Sequence, residues 1–189
     1  MTDITLPASS RKPARGGTPA LRPDEEPDAD RLVRLVELLF FAYRDFTSDP
    51  DQMLSAIGFG RAHHRVLHFV ARNPGLCVAD LLSILTITKQ SLARVLKQLV
   101  DEGYILQQRN EQDRRERLLF PTEKGRSLAT SLARPQLERI SRALAAAGPG
   151  GELHAERFLF SMLNADEQVQ VARIVRRQVG ARQGPEDGA

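Results

Sequence analysis

Between Thr88 and Gly103 the apolar residues Leu92, Val95, Leu96 and Leu99 recur at i, i+3, i+4 and i+7, while Lys89, Gln90, Ser91, Arg94 and Lys97 occupy the other side. That period predicts a helix with one buried face and one polar, basic face. Thr88 is a good N-cap and Gly103 a good C′ residue, so both ends are marked. A shorter helix is expected just before it, over Val78 to Leu85, with Val78, Leu81, Leu82 and Leu85 apolar. Asn73-Pro74-Gly75 breaks the chain ahead of that pair. After Gly103 the pattern turns extended: Tyr104-Ile105-Leu106 opens one strand, Arg117-Leu118-Leu119-Phe120 makes a second, and Asn110 to Glu116 forms a charged tip. Helix, short turn, basic-faced helix and hairpin together predict a mainly α fold with a small β-hairpin wing, a winged helix-turn-helix.

The flanks are helical in pattern. A first helix is expected from about Asp30 to Phe46, on the spacing of Leu32, Leu35, Val36, Leu39, Phe40 and Tyr43; Val33, Leu38 and Phe41 extend the apolar surface around its girth. Such a helix needs cover on more than one side, which a second copy of the chain would supply. Another helix follows Gly60, with Ala62, Val66, Phe69 and Val70 on one side. Thr122 caps a helix expected from about Lys124 to Ala147, kinked at Pro135. Gly148-Pro149-Gly150-Gly151 ends it, Leu153 to Leu163 is helical, and Asn164 with Glu167 has the spacing of a capping box for a last helix to about Val179. The organisation read from this is a disordered arm over 1–27, a dimerisation helix and connector over 28–58, a winged helix-turn-helix over 59–126, dimerisation helices over 127–179 and a disordered tail over 180–189.

Charge narrows the partner. The whole chain carries a net +3, yet Gly60 to Arg126 holds 12 basic residues against 7 acidic ones. An α-helix fits the major groove of DNA, and Thr88, Lys89, Gln90, Ser91, Arg94 and Lys97 are donors and acceptors suited to base edges and phosphates. Arg114, Arg115 and Arg117 on the hairpin would reach phosphates or a narrow minor groove, with Asp113 beside them. Double-stranded DNA is the expected partner. The single Cys excludes an intramolecular disulfide, and the absence of a long apolar run or signal-like start leads us to expect a cytoplasmic protein with no membrane partner.

Other residues invite chemistry. His64 and His68 have the i, i+4 spacing of chelating histidines, with His63 alongside, but no Glu completes an H-E-x-x-H pattern and no carboxylate cluster lies nearby, so no metal site is expected. Cys77 stands at the N-cap of the Val78 helix, where the dipole favours a thiolate, making it a candidate redox residue. No phosphate loop, Ser-His-Asp order or acid pair emerges, so neither catalysis nor a cofactor is expected.

The runs Pro74-Gly75-Leu76-Cys77-Val78-Ala79-Asp80-Leu81-Leu82, Ile87-Thr88-Lys89-Gln90-Ser91-Leu92-Ala93-Arg94 and Leu99-Val100-Asp101-Glu102-Gly103-Tyr104-Ile105 closely resemble the MarR family of bacterial regulators. Asn110-Glu111-Gln112-Asp113-Arg114-Arg115 and Pro121-Thr122-Glu123-Lys124-Gly125-Arg126 are similar to that family's D-[RK]-R and L-T-E-K-G signatures. The resemblance implies a homodimer with entwined terminal helices that sets two winged modules on a pseudo-palindromic operator, most simply as a repressor. It implies recognition through Thr88, Lys89, Gln90, Ser91 and Arg94, and a wing in which Asp113 orients Arg115. It also makes His64 and His68 candidates for lining a small-molecule effector pocket. Phe59-Gly60 stands where Leu-Thr is common, trading one N-cap for another. Phe120-Pro121 stands where a branched residue and Leu are common, which is expected to shorten the second strand. The reading from another class is a winged-helix module that docks a protein and reads no DNA.

Overall fold

The computed structural model describes residues 28–113 and 116–172. They form α1 (Ala29–Ser55), α2 (Arg61–Arg72), β1 (Leu76–Cys77), α3 (Val78–Leu85), α4 (Lys89–Asp101), β2 (Ile105–Arg109), β3 (Arg117–Pro121), α5 (Glu123–Ala147) and α6 (Gly151–Ser161). A further helical stretch covers 165–172. The chain divides into two compact units, one up to Phe40 and one from Phe41 onward.

In the first unit the described residues are the N-terminal part of α1. Its apolar side chains face solvent: Leu32, Val33, Leu35, Val36, Leu38, Leu39 and Phe40 are all exposed, Phe40 at 70%.

The second unit holds the core. Val66, Leu67 and Val70 of α2, Leu81 and Leu85 of α3, and Leu92, Val95, Leu96 and Leu99 of α4 are buried together with Ile105, Leu119 and Leu132. The residues predicted to form the inner face of α4 therefore do so. Its end is a Schellman turn: Gly103 at φ +75° donates to the Val100 carbonyl at 3.0 Å, and Tyr104 N–H donates to the Leu99 carbonyl at 2.8 Å.

Three differences from the sequence reading have physical causes. α1 does not stop at Phe46 but runs through Pro50 to Ser55. Pro50 lacks the N–H that would reach the Phe46 carbonyl, and Gln136 of α5 fills the gap by donating to that carbonyl at 3.3 Å. The sheet has three strands in the order β1-β3-β2 rather than a bare hairpin, with Leu76 and Cys77 paired to Leu119 and Leu118. Proline also fails to shorten β3, because Pro121 is its last residue, paired only to Ile105 and beyond the reach of β1.

The segment after β3 locks the wing to α5. Thr122 Oγ1 donates to the Gly103 carbonyl at 2.7 Å and accepts from Gly125 N–H at 3.0 Å, capping the helix. Lys124 Nζ donates to the Glu102 carbonyl at 2.8 Å and lies 4.0 Å from the centre of the Tyr104 ring. Gly125 is required sterically, since a Cβ there would lie 2.1 Å from the Tyr104 carbonyl oxygen.

Candidate nucleic-acid interface

α4 presents Lys89, Gln90, Ser91, Arg94 and Lys97 to solvent on the side opposite its buried leucines. Thr88 is committed to the helix start: its Oγ1 accepts from Ser91 N–H at 3.2 Å and lies 2.9 Å from Ser91 Oγ. Lys97 is paired with Asp101 one turn on, so its charge is shared within the helix. Lys89, Gln90 and Arg94 thus form the outward polar set nearest the N-terminal end, where a helix in the major groove meets base edges.

The wing is shaped by Asn110. Its Oδ1 accepts from Gln112 N–H at 3.0 Å, and its Nδ2 donates to Glu116 Oε2 at 2.8 Å. Asp113 is exposed, and its carbonyl accepts from Glu116 N–H at 2.9 Å. Arg114 and Arg115 lie outside the described residues. Arg117 is exposed on β3, directly opposite Arg109 of β2. The sequence reading missed Arg109 as an interface residue; its place in the hairpin register would have been the signal.

A profile of the MarR family matches residues 57–116. The HTH-type transcriptional regulator PetP of Rhodobacter capsulatus is 44% identical over 135 residues, covering 71% of this chain and 81% of PetP. The chain belongs to the MarR family. A second MarR-like relative, the uncharacterised HTH-type transcriptional regulator YybA of Bacillus subtilis, is 31% identical over 74 residues, 39% of this chain and 49% of YybA. Among solved structures, FabT of Streptococcus pneumoniae in complex with DNA is 20% identical at a TM-score of 0.59, covering 70% of this chain and 99% of that one. A MarR protein from Peptoclostridium difficile is 18% identical at a TM-score of 0.58, covering 82% and 96%. These likenesses carry the winged-helix fold of MarR regulators.

The histidines separate into two roles. His63 stacks on Phe59 at 4.6 Å; its Nδ1 accepts from Gly60 N–H at 3.1 Å, so Nε2 carries the proton and donates to Gln98 Oε1 at 2.9 Å. It is a structural residue joining α2 to α4. His64 and His68 instead face a cavity of about 270 Å³ between α1, α2 and α5. Tyr43, Phe46 and Phe69 supply apolar wall, and Arg61 and Arg65 bring positive charge. Arg61 is held by Asp51 at 2.8 Å and by Thr47 at 3.3 Å. Burial lowers the proton affinity of His64, against a smaller opposing pull from Asp51; it lowers that of His68 too, reinforced by His64 and Arg72.

Cys77 is half-buried, and its Sγ accepts from Asp80 N–H at 3.3 Å. The thiol serves as the N-cap of α3. Among the described residues no group of three or more His, Cys, Asp or Glu side chains could hold a metal. Among them, too, no helix is long and apolar enough to cross a membrane.

Proposed function

We propose that the chain is a sequence-specific transcriptional regulator that binds a pseudo-palindromic operator as a homodimer and represses by covering a promoter. The observation that carries this is the outward set Lys89, Gln90, Ser91 and Arg94 on a helix whose inner face is fully buried in the core. Donors and acceptors there suit base edges in the major groove. Arg109 and Arg117, with Arg114 and Arg115 in the same segment, would set the module on the phosphate backbone. The chain's role is binding rather than catalysis.

Dimerisation is supported by exposed apolar surface in each unit: Leu35, Leu39 and Phe40 of α1, and Phe158, Leu159 and Phe160 of α6. Twofold symmetry then asks for two half-sites about one helical turn apart. The cavity beside His64 and His68 is the place for a small organic effector; at about 270 Å³ it suits a compact one.

The test is footprinting of the purified chain on sheared DNA of its own organism at near-physiological salt, with an Arg94→Ala/Arg115→Ala double variant as control. Enrichment of a short inverted repeat, lost in the variant, is the expected result. Uniform or absent enrichment would favour a winged module that docks a protein.

A further inference from the structure

Arg65 belongs to two structures at once. It lines the cavity between α1, α2 and α5, and its Nη2 donates to the Leu85 carbonyl at 3.2 Å. Leu85 is the last residue of α3, where carbonyls lack helical partners and the helix dipole favours a cation.

The next residue, Thr86, stands at φ +52° and ψ +45°. Among the described residues it alone combines a positive φ with a side chain, and for a β-branched residue that region is strained. Thr86 N–H is held on the Leu82 carbonyl at 3.0 Å, and two residues later Thr88 caps α4. A strained turn that aims α4 is thus pinned by a side chain reaching from the cavity wall.

The cavity's charges make Arg65 the group an anion would recruit. Arg61 is already paired with Asp51, and burial favours the neutral forms of His64 and His68. Arg65 pairs with no carboxylate among the described residues, and its partner at Leu85 is a neutral carbonyl. A carboxylate is a stronger acceptor for guanidinium than a neutral carbonyl, so a bound organic acid would win it. Tyr43, Phe46 and Phe69 would hold an aromatic body.

We propose that Arg65 couples the cavity to α4: a one-ring organic anion takes its guanidinium from the Leu85 carbonyl, the Thr86 turn relaxes, and operator affinity falls. This rests on the reading of the chain as an operator-binding protein with an effector cavity.

The experiment uses the full chain and the operator recovered by footprinting, with benzoate as probe and benzamide as its neutral counterpart. Calorimetry reads ligand binding, and anisotropy of a labelled operator reads DNA affinity. Benzoate but not benzamide should bind, and saturation should weaken operator binding about tenfold, within the usual range of coupling between sites. Arg65→Gln should show the weakened affinity without ligand and respond no further. Thr86→Gly, which leaves the cavity intact, should keep benzoate binding while blunting its effect on DNA. It serves as the check should Arg65→Gln fold poorly.

Benzoate that binds without changing operator affinity overturns the coupling, as does an Arg65→Gln protein that responds like the parent. Failure of benzoate to bind overturns the anion assignment. Failure of the ligand-free parent to select any operator overturns the DNA-binding reading itself and is visible before ligand is added.

Discussion

Arg109 and Arg117 stand directly opposite one another in the β2–β3 register, both exposed, at the tip of the wing. Like charges facing across a strand pair repel, so the free protein carries a local cost there that a polyanion would remove. Replacing either by Ala should flatten the salt dependence of operator binding by about one unit of slope and leave sequence preference intact. Arg94→Ala should instead lose about 1–3 kcal/mol on the specific site and little on random DNA. Titrations over a salt series check both; an unchanged slope in the wing variants would remove them from the phosphate backbone.

Gly125→Ala should destabilise the fold by about 1–3 kcal/mol, since the added methyl meets the Tyr104 carbonyl rather than a yielding side chain. Denaturant unfolding is the measurement. Ala147→Gly, at the other end of α5, provides a comparison that costs only helix propensity, about 1 kcal/mol.

Thr86→Gly should stabilise the protein by up to about 1 kcal/mol, because glycine adopts the left-handed turn without the steric cost that threonine bears. Thr86 is exposed, so no packing is lost. A lower unfolding midpoint in the variant would mean that the turn is not strained.

Stability should fall as the medium is acidified below the ordinary histidine value of about 6.5. His64 and His68 bind protons less readily in the folded chain than in the unfolded one. Between their folded and unfolded values the unfolded chain therefore takes up more protons, and stability drops as pH falls through that window. A His64→Gln/His68→Gln double variant should show a smaller loss of Tm between about pH 7.5 and pH 5.5 than the parent.

Leu35→Glu/Leu39→Glu should shift the chain from dimer toward monomer in sedimentation runs, since both side chains are exposed apolar groups on α1. An unchanged mass would place the self-association surface elsewhere.

The α3–α4 pair and the hairpin were legible because local signals agree with one another: periodic leucines, a Thr cap, a Gly stop and a switch to an extended pattern. What stayed hidden depends on partners distant in sequence. Pro50 reads as a helix stop until Gln136, far along the chain, supplies a donor for the Phe46 carbonyl. β1 has two residues, too few for any alternation, and exists through its pairing with Leu118 and Leu119. The spacing of His64 and His68 raised the prospect of a lined pocket, but the bridge from Arg65 to Leu85 leaves no trace in composition or period.

β1 and the turn at Gly103 have a further effect. Gly75 N–H donates to the Leu119 carbonyl at 2.8 Å, Cys77 closes both β1 and the start of α3, and the end of α4 runs through Gly103 into β2. Both ends of the helix pair are thereby welded to the same small sheet. Such a module works as a fixed-jaw caliper: the interval between the groove that takes α4 and the stretch of duplex under the wing is set by the protein. An operator that inserts a base pair within that interval would have to deform its own helix to fit.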